Sequence, residues 1–67
     1  MALDARVRTT LIDYQAGKCD LEAAAARLLQ VRRETGCLEL HAAPNASAAD
    51  RALVTRVAEL MREEFGS

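Results

Sequence analysis

The sequence predicts an all-α domain of three helices: an N-terminal antiparallel hairpin, then a third helix after an extended connector. Three observations carry this. Asp20–Gly36, DLEAAAARLLQVRRETG, joins a cap, an alanine run and a terminating glycine in one stretch. On both sides of it, apolar residues recur at spacings of three and four, the period of a helix with one buried face. Pro44 and Asn45 fall in the segment where that period lapses, and they stop a helix from running through.

The central stretch organises the rest. Asp20 offers a short side-chain acceptor to a free backbone N–H, as an N-cap does. Glu22 places negative charge in the first turn, and Arg32 and Arg33 place positive charge in the last, both complementing the helix dipole. Ala23–Ala26 have the highest helix propensity. Gly36 supplies the left-handed residue that closes many helices. Leu21, Ala24, Ala25, Leu28 and Val31 share one face, with Leu29 at its edge. The two alanines make that face thin, so a neighbour can approach near the lower end of the usual 8–10 Å range. Arg32 falls within the stripe, where its stem can lie on apolar surface while its head stays in water.

The first helix is expected over residues 2–16. Leu3, Val7, Thr10, Leu11 and Tyr14 share a face, Asp4 suits the start and Gly17 the end. The link Gly17-Lys18-Cys19 is short enough to make helices one and two antiparallel neighbours. Ile12 lies opposite the main stripe, flanked by Ala5 and Ala16, and marks either one exposed side chain or a second contact patch. Residues 37–46, CLELHAAPNA, alternate briefly: Leu38 and Leu40 to one side, Glu39 to the other. A lone strand is marginal, so this segment reads as a connector whose leucines plug the core, or as an edge that pairs between two copies. Ser47-Ala48-Ala49-Asp50 resembles a capping box with Asp in place of Glu. The third helix is expected from about Ala48 to Glu64. Leu53, Val54, Val57, Leu60, Met61 and Phe65 cover roughly 140° of it, wider than the ~100° stripe of a surface helix. Arg51, Thr55, Arg56, Glu59, Arg62 and Glu63 form its wet face.

Sixty-seven residues hold one domain, 1–67, and leave much of its surface wet. Fourteen of the hydrophobic residues are alanine, and only Tyr14 and Phe65 are aromatic. Such a core buries little area, and burial contributes only ~25 cal/mol per Å². Self-association as a homodimer or higher oligomer is therefore expected, with Ile12, Val54, Val57, Met61 and Phe65 as contact residues. The net charge of −1 argues against a protein held to nucleic acid or membrane by its overall field. No run reaches the eighteen or so apolar residues of a membrane span, and MALDARVR lacks the basic-then-apolar order of a signal peptide.

Cys19 and Cys37 flank the central helix. A helix over residues 20–35 is ~24 Å long, against the ~7 Å between α-carbons that a disulfide tolerates. The two cannot bridge within one chain, which fits a reducing, cytoplasmic setting. Cys37 and His41 are four apart, but structural zinc needs four ligands. Cys19 follows Lys18 and precedes a helix start, features that favour a thiolate and equally describe a small residue in a tight turn. The carboxylates are spaced as caps and solvated faces, and the glycines at 17, 36 and 66 stand alone. The expectation is no enzyme, no cofactor and no metal. The expected function is regulatory or adaptor work by helix-mediated protein contact.

The alternative is nucleic-acid binding. Gly17–Cys37 resembles a helix-turn-helix sequence: a glycine, an acidic cap, a short helix with central alanine, then an arginine-bearing second helix. The resemblance implies a DNA-binding regulator using residues 20–41. Leu21–Leu28 would be the first helix, with a turn near Leu29–Val31, and Arg32, Arg33 and Thr35 would open the recognition helix. The chain departs from that pattern at Gln30, where the turn usually has glycine, and at Gly36, through which the recognition helix would have to run. A continuous helix to Thr35 needs no break between Leu28 and Arg33.

Overall fold

Asp20 starts the central helix as its chemistry requires. Its backbone is extended, and its carboxylate accepts a hydrogen bond from the Ala23 N–H at 2.8 Å. In the computed structural model, which describes residues 5–66, three helices follow one another: α1 (Ala5–Gln15), α2 (Leu21–Thr35) and α3 (Ala48–Phe65). Among the described residues there is no strand. The expected N-terminal residues of the first helix, with Leu3 and Asp4, lie outside the described residues.

Among the described residues, α2 and α3 are capped at their starts and all three helices are closed by glycine at their ends. At the end of α1 the Lys18 N–H donates to the Asp13 carbonyl at 2.8 Å, and the Gly17 N–H donates to that of Tyr14 at 3.1 Å. This is a Schellman closure with glycine in the left-handed position, φ +78°. Gly36 ends α2 with φ +79°, its N–H donating to the Arg32 carbonyl at 2.9 Å. At the start of α3, the Ser47 hydroxyl accepts from the Asp50 N–H at 3.1 Å. The return half of a capping box, from the Ser47 N–H to the Asp50 carboxylate, is not made among the described residues.

The core is built on α2. Ala24, Ala25 and Leu28 are fully buried, joined by Val31 and Leu29. Against this face α1 sets Val7 and Thr10, and α3 sets Leu53 and Val57. Thr10 sits in the core without an unmet polar group, since its hydroxyl donates to the Arg6 carbonyl at 2.7 Å. Leu11, Tyr14, Leu38, Leu40, Leu60 and Met61 pack around the edge, half-buried. The Tyr14 hydroxyl donates to the Ala49 carbonyl at 2.7 Å and pins the end of α1 to the beginning of α3. The connector's leucines do plug the core, while Glu39 and His41 are exposed. No helix among the described residues is long and apolar enough to cross a membrane.

A substitution at the centre of this core should dominate stability. Leu28→Ala removes a fully buried side chain and should cost about 2–5 kcal/mol, a large share of the roughly 3–10 kcal/mol expected for a domain of this size. Ile12→Ala, at a site 57% exposed, should change stability by less than about 0.5 kcal/mol. Urea unfolding followed by circular dichroism separates the two.

Candidate interaction surface

An open apolar surface lies where the connector meets α3. Leu38 and Leu40 turn inward, and Glu39 and His41 turn outward. The connector is tied at both ends. The Cys37 N–H donates to the Thr35 hydroxyl at 3.3 Å. At the far end, the Arg51 guanidinium donates to the carbonyls of Pro44 at 2.7 Å and Ala46 at 3.3 Å. Between these ties, residues 38–42 make no backbone hydrogen bond with any described residue.

Two grooves flank this segment. One, of about 330 Å³, runs between Leu38–His41 and the α3 side chains Val54, Ala58, Met61 and Arg62, with Val57 at its floor. The other, of about 350 Å³, lies between the connector, Leu11 and Gln15 of α1, and the first turns of α3. Leu40, His41 and Val54 belong to both and form the ridge between them. A third hollow, of about 360 Å³, opens between α1 and α2 over Thr9, Thr10 and Val31, with Arg6 and Arg27 on its rim.

The sequence-predicted contact residues are only partly brought together. Val54 and Met61 are half-buried walls of the same groove. Val57 is corrected: at 2% exposure it belongs to the core, because it sits one helical turn from Leu53 on the side that faces α2. Phe65 is half-buried, with the Arg32 guanidinium 4.2 Å from its ring centroid. Ile12 is exposed on α1 and lines neither groove beside the connector.

The arginines expected at a recognition helix are engaged within the chain. Arg33 donates from two nitrogens to both carboxylate oxygens of Glu64, at 2.5 and 2.6 Å. That hydrogen bonding holds the Glu64 carboxyl below its ordinary range and the Arg33 guanidinium above its own. Arg32 lies over Phe65. The bend that a helix-turn-helix needs near Leu29–Val31 is absent, since α2 runs unbroken from Leu21 to Thr35. Gln30 sits inside it, donating to Glu34 at 2.6 Å. Residues 36–41 are not helical, as the left-handed Gly36 requires.

Cross-helix pairing was not visible in local spacing. Arg56 donates to Glu22 at 3.1 and 3.4 Å, Arg27 to Asp13 at 3.2 Å, and Arg6 pairs with Glu34. Only the opposite-charge runs at each helix surface hinted at them. Cys19 is half-buried and Cys37 exposed, both as free thiols. Among the described residues no group of three or more His, Cys, Asp or Glu side chains could hold a metal ion. No protein-family model, no curated protein and no solved structure matches this chain.

The Arg33–Glu64 pair sets a pH dependence. Because the folded state lowers the Glu64 pKa, its contribution is present above the ordinary carboxylate range. It is lost as pH falls through the lowered folded value. A double-mutant cycle of Arg33→Ala and Glu64→Ala should therefore show favourable coupling at neutral pH. The coupling should shrink in acid and in high salt, as for any exposed pair. Arg62→Ala should show none of this behaviour.

Proposed function

We propose that this chain is a small, non-enzymatic regulatory or adaptor protein that works by protein contact as a homodimer in a reducing cytoplasm. The observation that carries the reading is the apolar surface left open where α3 meets the connector. Val54, Met61, Leu38 and Leu40 are all half-buried around a groove that no further element of the described chain covers. A small domain with an alanine-rich core gains most from covering such surface, because each additional apolar area removed from water adds to a modest total. Ile12, alone among the large hydrophobics in standing exposed among the described residues, supplies a second patch. Phe65 extends the first toward the end of α3.

The proposed architecture is an antiparallel α1–α2 hairpin with α3 laid across it. The order of the ion pairs supports this: Arg6, early in α1, meets Glu34, late in α2, while Asp13, late in α1, meets Arg27 in the middle of α2. The free thiols, one of them exposed, support a reducing compartment.

Light scattering should find more than one chain per particle. Met61→Glu should return the protein to a monomer while its helical content stays unchanged, because a charge at a half-buried rim is solvated in the single chain and desolvated in the dimer. A strict monomer at high concentration, indifferent to Met61→Glu and Ile12→Glu, would remove this reading.

A further inference from the structure

The connector has an edge and a natural midpoint. Residues 38–42 carry backbone donors and acceptors without partners among the described residues, while Leu38 and Leu40 anchor the segment to the core. Burial alternates along it, with Leu38 and Leu40 half-buried and Glu39 and His41 exposed, the period of an extended chain, and such an anchored segment with unpaired backbone groups is a template for strand addition. Its limits are symmetric. Gly36, left-handed, ends the helix before it, and Pro44, with no N–H, ends the ladder after it. Leu40 lies midway between them.

We propose that two copies of this chain pair through Cys37–Ala43 as an antiparallel two-stranded ribbon centred on Leu40. The inference rests on the self-association reading and names its partner and register. The register is favoured by what it places opposite what. Leu40 meets Leu40 of the second copy. Leu38 meets the small, exposed Ala42. Glu39 meets His41 twice, a carboxylate acceptor against a ring N–H donor, both exposed in the single chain. A shift by one residue would turn the leucines outward. A shift by two would move Gly36 or Pro44 into the ladder. The ribbon runs beside Val54 and Met61, so the groove they wall would be continuous with the interface.

The test uses the full chain with Cys19→Ser and Ala43→Cys. On both sides of the axis, Cys37 then faces the introduced thiol at position 43 of the second copy. Within one chain the two positions are six residues apart, ~20 Å when extended, beyond the ~7 Å a disulfide spans. After oxidation with diamide, the expected product is a covalent dimer whose peptide map shows Cys37 joined to position 43. A second pair of variants needs no crosslink. His41→Glu should weaken dimerisation by roughly tenfold, since it creates two like-charged pairs per dimer, and Glu39→His in the same chain should restore it. A dimer by light scattering that forms no bridge between positions 37 and 43, and ignores the charge swap, overturns the ribbon and leaves self-association standing. A mixture in which like positions are joined as often, 37 to 37 and 43 to 43, also overturns the ribbon, as does an intrachain bridge. A strict monomer overturns both.

Discussion

The burial of one thin face of α2 is the constraint from which the architecture follows. Ala24, Ala25 and Leu28 present no surface to water, and they can do so only because two neighbours press on the same stripe. Alanine gives each neighbour a close approach, and that approach lets side chains as short as Val7 and Val57 reach the centre. The economy has a consequence. A core of alanine, valine and leucine buries less area for each ordered residue than one with aromatic rings, while the backbone entropy to be offset is the same. Hence the chain depends on its periphery: half-buried leucines from the connector, a tyrosine hydroxyl that ties α1 to α3, and a closing glycine at the end of each helix.

The exposed ion pairs serve a different purpose. α2 carries charge on both flanks, with Glu34 and Arg27 turned toward α1, and Glu22 and Arg33 turned toward α3. Each pair is exposed and screened by salt, so together they add little to stability. What they exclude is the wrong register. Sliding α3 along α2 by one turn would separate Arg33 from Glu64 and Arg56 from Glu22 at once, and an alanine stripe by itself offers few shape cues to prevent such a slide. Charge here supplies the specificity that a smooth core lacks.

Most of the helices could be read from the residues, and the reasons are local. Asp20, Gly36, Ser47 and Gly17 act through hydrogen bonds and dihedral angles within a few residues of themselves, so their effect is written in order along the chain. The alternation of Leu38 and Leu40 was legible for the same reason. What was hidden depends on distance through space. The wide stripe of α3 marks six apolar positions but not which of them face α2, so spacing alone does not separate Val57, which is buried beside Leu53, from Val54 and Met61. The partners of Arg32 and Arg33 lie some thirty positions away at Phe65 and Glu64, and no local pattern names them. That is also why a short arginine-bearing stretch could resemble a recognition helix: the resemblance concerns residue types, whereas the structure commits those types to α3.

The connector is where local and distant causes meet. One backbone turn, the Ala46 N–H donating to the Ala43 carbonyl at 2.9 Å, closes its far end, and side chains hold the rest: two leucines from beneath, the Arg51 guanidinium at one end and the Thr35 hydroxyl at the other. Such fastening fixes where the segment lies and leaves the backbone groups of residues 38–42 without partners among the described residues. A helix satisfies its backbone internally, so it can be fully exposed without inviting another chain. An anchored extended segment cannot, and natural edges of this kind are covered, charged or interrupted. This one is interrupted by Pro44 only at its end, carries a single carboxylate, and has apolar walls on both sides. Water can solvate it in a dilute single chain. At higher concentration a second identical segment offers the same hydrogen bonds together with leucine contacts that water does not. For a chain whose own core is so lean, that difference decides whether the connector remains a loop or becomes half of an interface.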